Sequence, residues 1–538
     1  MDALFVPLAS AVGASVDQIK LISCLLFSYP LGSLFIRMPS SQPAFKHLFS
    51  ISVTIFYLLG VFSLWNGFFQ LLGSILATYF IAANVRGPSM PWIVFGVVMG
   101  HLTVNHVIRA LFELSYETFE VTGPQMVLTM KLTTFAWNVY DGRRPATELD
   151  KWQTAMRVTK YPSLLEFLGY SFYFPGFLVG PYLEYATYMD LVNETLFTTH
   201  NGEVAQKSSG RRVPKGRKRV AYRKMAMGLT YLGLFVLLNP KFNYSMVLED
   251  SFAKKSFMYR IIYFQIGGFF ERTKYYAIWT LTEGASILTG LGFTGFSPSG
   301  ASLWEGAANV NIRLIEFAPN FKVLLDSWNM KTNVWLRECM YKRVTPAGKK
   351  PGFRSSMLTF ATSAFWHGIA GGYYLTFLFG GFVQTAGRLC RSNLRPLLLP
   401  PKGSKSVPPA VPATWMKRAY DVAGTASSIA ILNYTAAPFM LLGLQKSLHA
   451  WAILGWYGHW MIVTTLAFCY LGGTRYLKNL QKARVAKAER ADHTIHPSAS
   501  QSSLGNGYDD GTLQMPPVDQ AMEGMEREVE KELKKRNI

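Results

Sequence analysis

Long apolar runs without a formal charge recur along this chain, and they restrict its fold more than any other feature. Residues 47–85 form a run of 39 that contains no Asp, Glu, Lys or Arg. A transmembrane helix needs about 20 apolar residues, so this run is long enough for two crossings with a turn near Trp65-Asn66-Gly67. Such runs exclude a single soluble core and predict a polytopic, all-α membrane protein.

Composition and charge agree with this interpretation. Half of the 538 residues are hydrophobic and 16% are charged, whereas an average soluble chain has about a quarter charged residues. The net charge of +22 is concentrated in connecting segments and in the first part of the C-terminal tail, residues 476–490. There it indicates membrane topology and attraction to anionic lipid headgroups, so we expect the bilayer as a partner and no nucleic acid. The four cysteines, Cys24, Cys339, Cys390 and Cys469, have no metal-site or disulfide spacing.

The apolar runs predict a membrane domain over residues 1–475 and a polar tail over 476–538. At about 20 residues each, they correspond to roughly nine to eleven transmembrane helices, with re-entrant or interfacial helices around a buried cavity. Residues 122–137 are apolar but contain Lys131, so they form either a span that opens onto a polar cavity or an interfacial helix. Residues 207–224 carry nine Lys or Arg and no acid, which predicts a cytoplasmic loop. The tail is predicted to be disordered and cytoplasmic.

The apolar stretch over residues 355–387 holds one readily ionisable side chain, His367, within Phe365-Trp366-His367-Gly368. An ionisable group at membrane depth costs about 3 kcal/mol or more, so a functional role is the first expectation. A neutral imidazole can accept a proton, which suits a general base. The alternative is a structural histidine whose two nitrogens are hydrogen-bonded to neighbouring groups.

The segment over residues 321–343 is too polar for an ordinary lipid-facing helix, and its Asn329 precedes His367 by 38 residues. An asparagine amide can orient a hydroxyl or stabilise the oxyanion of a tetrahedral intermediate. No serine lies in a GxSxG elbow and no cysteine has a catalytic-type context. Direct attack by a substrate hydroxyl is therefore favoured over a covalent acyl-enzyme, with residues 321–388 as the catalytic region.

Other ionisable residues in apolar stretches have two interpretations. Glu271, Arg272 and Lys274 fit paired groups that line a polar cavity, and they equally fit a solvated helix face. His101 and His106 are five residues apart, on different helical faces, which disfavours joint metal ligation. We expect these two histidines to serve in helix packing or as polar lining.

The Asn and His motifs resemble those of the membrane-bound O-acyltransferases, in particular the lysophospholipid acyltransferase branch and its fungal broad-specificity enzymes. The resemblance covers residues 21–475. It rests on Trp328-Asn329, Asn333, Trp335-Leu336, Tyr341-Lys342-Arg343, Phe365-Trp366-His367-Gly368, Gln125-Met126-Val127-Leu128, Lys131-Leu132-Thr133, Asn138-Val139-Tyr140-Asp141-Gly142, Phe174-Pro175-Gly176, Val179-Gly180-Pro181, Tyr275-Tyr276 and Leu281-Thr282-Glu283-Gly284.

The resemblance implies transfer of a fatty acyl chain from acyl-CoA to the free sn-2 hydroxyl of a lysophospholipid, in the endoplasmic reticulum membrane. His367 would be the general base and Asn329 would position the hydroxyl or stabilise the oxyanion. Acyl-CoA is then a co-substrate, and no metal or prosthetic group is expected. Position by position, the resemblance assigns roles to these two residues only.

We also expect substrate contacts from polar and aromatic residues in and beside the motifs: Trp328, Asn333, Trp366, Glu283, Tyr276, Arg337, Lys342 and Arg343. The basic ones, with Lys349 and Lys350, can bind the phosphates of coenzyme A, or they can be an ordinary positive flank of a membrane segment. Lysolipid is expected to arrive sideways from the bilayer past residues 172–182, where aromatic residues meet two proline–glycine breaks.

Two alternatives to this function stay open at the level of sequence. A member of the same family can acylate another acceptor, such as diacylglycerol, a sterol or a protein. A transporter can use His367 as a proton relay, because intramembrane histidines often serve in proton pathways. The transporter hypothesis gives Asn329 no role.

Overall fold

The structure is a computed structural model that describes residues 1–114, 118–197, 213–346, 349, 351–399 and 414–495. Within these ranges it is mainly helical, and the strands form one two-stranded antiparallel hairpin, in which Gly295 pairs with Leu303 and Phe296 with Ser302. The predicted all-α class is confirmed.

The N-terminal part contains the helices that are most clearly suited to a bilayer. Its helices are α1 (Asp2–Val12), α2 (Val16–Phe35), α3 (Pro43–Ile55), α4 (Trp65–Asn84), α5 (Met90–Leu111), α6 (Thr122–Gly142), α7 (Lys151–Met156), α8 (Leu164–Ser171) and α9 (Tyr185–Val192). A π-helical segment, Phe56–Val61, continues α3. The turn predicted at Trp65-Asn66-Gly67 lies just before it, because Trp65 already begins α4.

The middle part is built on a pair of long helices. Its elements are α10 (Arg217–Leu238), α11 (Asp250–Ala253), α12 (Phe257–Thr289), β1 (Gly295–Phe296), β2 (Ser302–Leu303), α13 (Ile312–Glu316), α14 (Phe321–Ser327) and α15 (Met330–Leu336). The loop predicted over 207–224 is wrong for residues 217–224, which begin α10. Arg, Lys and Ala are good helix formers, and no glycine or proline interrupts this part of the basic run. Residues 207–212 lie outside the described ranges.

The C-terminal part contains α16 (Phe353–His367), α17 (Gly371–Leu394), α18 (Trp415–Leu441), α19 (Leu444–Ile453), α20 (Tyr457–Phe468) and α21 (Thr474–Ile495). The apolar stretch over 355–387 is thus two helices, and the break between them follows His367 directly. Helix α21 extends into the predicted tail, so the disorder expected there is wrong for residues 476–495; residues 496–538 lie outside the described ranges.

Four of the described helices are long and apolar enough to cross a bilayer: α2, Pro43–Val61, α4 and α5. A fifth is obtained if Leu444–Ile453 and Tyr457–Lys487, which meet at 79°, form one broken span. A multi-pass membrane protein is therefore confirmed, and the larger number of nine to eleven crossings stays a prediction. Of the other long helices, α6 and α12 have many buried residues, whereas α10 has two.

Helix α6 is the clearest case of an internal helix, since nearly all of its residues are buried. The buried ammonium of Lys131 donates hydrogen bonds to the carbonyl oxygens of Tyr170 (2.5 Å) and Ser171 (3.0 Å). Those carbonyls belong to the last turn of α8, where the helix supplies no partner for them. Lysine thus caps α8, and α6 is a central helix that opens onto a cavity through Met126 and Met130.

Candidate active site

A cavity of about 710 Å³ lies beside the break between α16 and α17. Its wall comes from both halves of the chain, including α5, α6, α12, α15, α16, α17 and α18. The lining surface is mainly apolar, but many polar residues and seven charged ones also contribute to it. A site that binds a lipid or another small molecule commonly has this composition.

His367 lines the cavity at the last position of α16. Its Nδ1 lies 2.7 Å from the carbonyl oxygen of Ser363, one turn earlier in the same helix. A carbonyl oxygen can only accept, so Nδ1 carries the proton, and Nε2 of the neutral ring keeps a lone pair. Phe377 and Phe439 pack against the imidazole with ring centroids at 5.0 and 4.9 Å. The ring is therefore held in one orientation, in the tautomer that can act as a base.

The break after His367 is stabilised by α5. Gly368 has φ 132°, a value that favours glycine. His106 of α5 donates from Nε2 to the carbonyl oxygen of Trp366 at 3.2 Å, which satisfies an acceptor in the last turn of α16. His106 also lines the cavity, which agrees with the polar-lining role expected for it. Its position beside His367 has no signal in the sequence, because 260 residues separate it from Trp366.

Asn329 also lines the cavity, as the N-cap of α15 with φ 45° and ψ 52°. Its amide orientation follows from Asn309, which is 2% exposed. The Oδ1 of Asn309 accepts the backbone N–H of Lys331 at 3.0 Å, so its Nδ2 is the group that donates to Oδ1 of Asn329 at 3.1 Å. With Oδ1 engaged, Asn329 presents its Nδ2 group as a hydrogen-bond donor.

Asn309 is a residue that the sequence analysis missed. Besides these side-chain bonds, its carbonyl oxygen accepts the N–H of Met330 at 2.9 Å. It lies 20 residues before Asn329, outside the polar segment over 321–343, and no spacing connects the two. Only the folded chain shows that Asn309 holds Asn329.

Four of the expected contact residues share this cavity wall: Trp328, Asn333, Trp366 and Arg337. Two of them are engaged in holding the wall together. Asn333 donates to the carbonyl oxygens of Leu325 (2.5 Å) and Trp328 (2.9 Å), which joins α15 to α14. The indole N–H of Trp366 donates to the carbonyl oxygen of Met126 at 3.0 Å.

The other four expected contact residues do not line the cavity, and each is engaged elsewhere: Glu283 with Lys224 (2.9 Å), Tyr276 with Glu316 (2.5 Å), Lys342 with Asp150 (2.6 Å) and Arg343 with Asp141 (2.5 Å). The structure therefore gives no support to their predicted contact with substrate, because none of the four lines the cavity. A charged residue in an apolar region can be recognised in the sequence, but the residue with which it pairs depends on tertiary packing. Lys349 is also absent from the wall, and Lys350 lies outside the described residues.

Three arginines belong to the wall that were not predicted as contacts: Arg109, Arg272 and Arg388. Arg272 is 4% exposed and binds both carboxylate oxygens of Glu316, at 2.9 and 2.8 Å. It also bonds to Asn433. Residues 271–274 had two interpretations, as paired groups in a cavity wall or as a solvated helix face. Arg272 agrees with the first. The network ties α12, α13 and α18 together beneath the site.

The cavity therefore combines a proton acceptor, an amide donor and an apolar surround. These are the groups needed to activate a hydroxyl and to stabilise an oxyanion. Among the described residues, no cluster of three or more His, Cys, Asp or Glu is arranged to hold a metal ion.

Comparisons with known proteins agree on one family. The profile of the MBOAT, membrane-bound O-acyltransferase family matches residues 107–412. The chain is 39% identical to the lysophospholipid acyltransferase of Schizosaccharomyces pombe, over 87% of this chain and 89% of that one. It is 37% identical to the lysophospholipid acyltransferase of Saccharomyces cerevisiae, over 94% and 83%. Membrane-bound glycerophospholipid O-acyltransferase 1 of Mus musculus is 30% identical, over 86% and 91%.

Proposed function

The chain belongs to the membrane-bound O-acyltransferase family and is an acyltransferase, and from that premise we propose that it transfers a fatty acyl chain from acyl-CoA to the sn-2 hydroxyl of lysophospholipids. The names of its relatives support the acceptor class. The observation that carries the proposal is the single cavity wall shared by His367 and Asn329. The reaction thereby remakes phospholipid within the membrane.

In the proposed mechanism, Nε2 of His367 accepts the proton of the lysolipid hydroxyl while the oxygen attacks the thioester carbonyl. The Nδ2 group of Asn329 donates to the oxyanion that forms, or orients the hydroxyl before attack. Collapse of the tetrahedral intermediate breaks the carbon–sulfur bond. Coenzyme A leaves as a thiolate and takes up the proton from the imidazolium. No metal, prosthetic group or covalent acyl-enzyme takes part.

For acyl-CoA, the best candidate to bind phosphate is Arg388, which lines the cavity; Arg337 also lines it, but its Nε lies 2.8 Å from Oε1 of Glu338. Arg388 follows Gly371 by 17 residues, near the end of α17 that is away from the break, and Ser356 of α16 lines the same cavity. Ser356 precedes His367 by 11 residues in α16, which corresponds to about 16 Å along the helix. A basic group at that distance suits a substrate whose phosphates lie far from its thioester. Lys342 and Arg343 fit this role less well, since carboxylates outside the wall already bind them.

For lysolipid, we propose a route from the bilayer to the cavity along residues 172–182; almost all of these residues are buried, so the segment would line the inner part of the route and not its mouth. Residues 178–182 form part of the wall beside Gly123 and Val127 of α6. The hydrocarbon chain of a lysolipid then never needs to leave an apolar environment. Bulky substitutions in residues 178–182 that leave the KM for lysolipid unchanged would contradict this route.

We further propose the endoplasmic reticulum membrane as the location, with the basic segment over 207–224 and the tail in the cytosol. The nine Lys or Arg over 207–224, and the five Lys or Arg against one Glu over 476–490 at the start of the tail, support that orientation. The final residues, Lys534-Lys535-Arg536-Asn537-Ile538, resemble a dibasic retrieval signal and lie outside the described ranges. Protease protection of a tag at each segment in sealed microsomes tests the orientation.

The first experiment measures thiol release from oleoyl-CoA by purified protein in detergent, with and without lysophosphatidylcholine. We expect wild-type release to require the lysolipid, and to fall at least about a hundredfold in H367A and N329A, as loss of acid–base catalysis or an oxyanion donor does. H449A is the matched control, because His449 is exposed on α19 and outside the cavity wall.

Other results would redirect the assignment. Full activity in H367A would remove the base assignment. If the wild type releases thiol with diacylglycerol, a sterol or a peptide but with no lysolipid, the acceptor is wrong. If vesicles that contain the protein move a solute without consuming thioester, the transporter hypothesis is correct.

A further inference from the structure

A cluster of charged and polar residues lines the same cavity near the beginning of α6. Nη1 of Arg109 lies 2.7 Å from Oε1 of Glu120 and 3.2 Å from Oγ1 of Thr122. The Thr122 hydroxyl in turn donates to Oε1 of Glu120 at 2.6 Å. The side chains of Arg109 and Glu120 are 13% and 17% exposed, and all three residues belong to the cavity wall.

The distance of this cluster from His367 follows from α5. His106 contacts the carbonyl oxygen of Trp366 and lies against Gly368, so it marks the level of the candidate base. Arg109 follows His106 by three residues, about 4.5 Å along the helix. In a lysophospholipid, the sn-2 oxygen and the phosphorus are separated by four bonds, or about 5 Å. With its hydroxyl at His367, a lysolipid therefore has its phosphate within reach of Arg109.

Coenzyme A does not match this short distance. A long pantetheine arm separates its phosphates from its thioester, and Arg337 and Arg388 lie in another part of the wall. Of the two proposed substrates, only the lysolipid carries a phosphate next to the reacting atom. The Arg109–Glu120 pair is thus placed to bind the lysolipid headgroup.

The charges of the pair suit a headgroup that contains both signs. A guanidinium carries five N–H donors in one plane, so it can hold a carboxylate and a phosphate at the same time. The carboxylate of Glu120 then stands beside the phosphate site and attracts a cationic amine. In a site that is largely shielded from water, these attractions are stronger than at an open surface. A headgroup without a cation brings its negative charge close to Glu120 and gains no such partner.

We propose that Arg109 and Glu120 form the headgroup subsite of this acyltransferase, with Arg109 binding the phosphate and Glu120 binding the ammonium group of a choline or ethanolamine lysophospholipid. The proposal rests on the function proposed above. It assigns the enzyme a preference for zwitterionic over anionic lysolipids, set by one ion pair close to the reacting hydroxyl.

The test compares kinetics with lysophosphatidylcholine and lysophosphatidylinositol for the wild type, E120Q and R109Q, with KM for oleoyl-CoA measured in parallel. In E120Q we expect the kcat/KM ratio of the choline to the inositol lipid to fall at least about fivefold. In R109Q we expect KM for both lipids to rise about tenfold or more, as loss of a hydrogen bond to a charged group does. KM for oleoyl-CoA stays within about twofold in both variants.

E148Q is the matched control, because Glu148 also pairs with an arginine, Arg144 at 3.3 Å, but is 56% exposed and outside the cavity wall. Thermal unfolding in detergent checks that each variant folds. If a glutamine variant does not fold, R109K and E120D take its place, with the same directions and smaller changes expected.

The outcomes separate the two proposals. If the wild type acylates neither lysolipid, the proposed function itself fails. If the wild type is active and the folded E120Q and R109Q variants, or their replacements, match E148Q in both KM values and in the lipid ratio, the pair is only structural and the headgroup proposal is overturned. A lower ratio in E120Q together with a higher lysolipid KM in R109Q supports it.

Discussion

At the residue scale, two side chains in the cavity wall acquire a defined chemical role from a hydrogen bond to a neighbour. In the proposed mechanism His367 can act as a base because Nδ1–H donates a hydrogen bond to the Ser363 carbonyl oxygen, which leaves the lone pair on Nε2. Asn329 becomes a donor because Asn309 occupies its oxygen. A histidine or an asparagine can otherwise present either a donor or an acceptor. The neighbours therefore set the direction of the proposed chemistry as much as the two residues themselves.

The role of Asn309 leads to a prediction for the variant N309D. An aspartate can still accept the N–H of Lys331, but an ionised carboxylate cannot donate to Oδ1 of Asn329. The Asn329 amide is then no longer held as a donor, and we expect kcat to fall about tenfold to a hundredfold, with little change in either KM. Initial-rate kinetics on the purified variant measure both constants.

A fall in kcat with an unchanged KM indicates a positioning role for Asn309, whereas a general structural defect would change both constants. N84D provides the control, since Asn84 is exposed at the end of α4. Wild-type kcat in N309D would show that Asn309 does not orient Asn329.

At the scale of elements, the site depends on the close packing of long helices. Where two of them meet at a glycine, there is no room for a larger side chain. Helix α10 packs on α12 at Gly228, where an added Cβ would meet Cγ of Leu281 at 2.7 Å and the carbonyl oxygen of Ala277 at 3.1 Å. Small residues allow this close approach between helices in membrane proteins. Because α12 also carries Arg272 of the cavity wall, the pairing of α10 with α12 supports one side of the site.

A pair of glycine substitutions in α10 tests this packing. We expect G228L to lower the free energy of unfolding by about 1–3 kcal/mol, because the added side chain forces the two helices apart. In G233L, five residues later in the same helix, an added Cβ meets nothing within 4 Å. That control should unfold at the wild-type temperature or higher, since leucine favours a helix more than glycine does. Equal melting temperatures for the two variants in detergent would contradict the prediction.

At the scale of the whole molecule, apolar helices surround an interior that is more polar than they are. The helices best suited to lipid, α2 to α5, precede α6, whereas α6 and α12 bury lysine, arginine, aspartate and glutamate side chains. The cavity lies among these internal helices. If the donor is acyl-CoA, as proposed, the apolar part of the lining would limit water and so protect the thioester from hydrolysis until an acceptor hydroxyl is bound. Both substrates can then occupy one cavity at the same time.

A shared cavity and direct attack predict sequential kinetics. When the concentrations of oleoyl-CoA and lysolipid are both varied, double-reciprocal plots should give intersecting lines, because both substrates bind before coenzyme A leaves. A covalent acyl-enzyme would give parallel lines and a burst of thiol without acceptor. Acyl chain that stays bound to denatured protein after incubation with labelled acyl-CoA would also contradict direct attack.

The sequence alone determined the membrane class and the family, and it predicted the two reacting side chains. Charge-free runs that are long enough to cross a bilayer leave few alternatives to membrane helices, because backbone groups without hydrogen bonds are costly in lipid. The Asn329 and His367 motifs identified the family to which the chain belongs. Both signals are local in the sequence, so no knowledge of the folded chain was needed to find them.

Only the tertiary structure decided which charged residues face the cavity and which neighbours orient the reacting groups. Glu283 and Arg343 are as prominent in the sequence as Arg109 and Arg388, yet the first two are paired outside the wall and the other two line it. The partner of a buried charge is a residue distant in the chain, and local patterns of hydrophobicity do not record it. Contacts such as His106 with Trp366 and Asn309 with Asn329 exist only once the helices have packed, and those contacts determine where a proton can go.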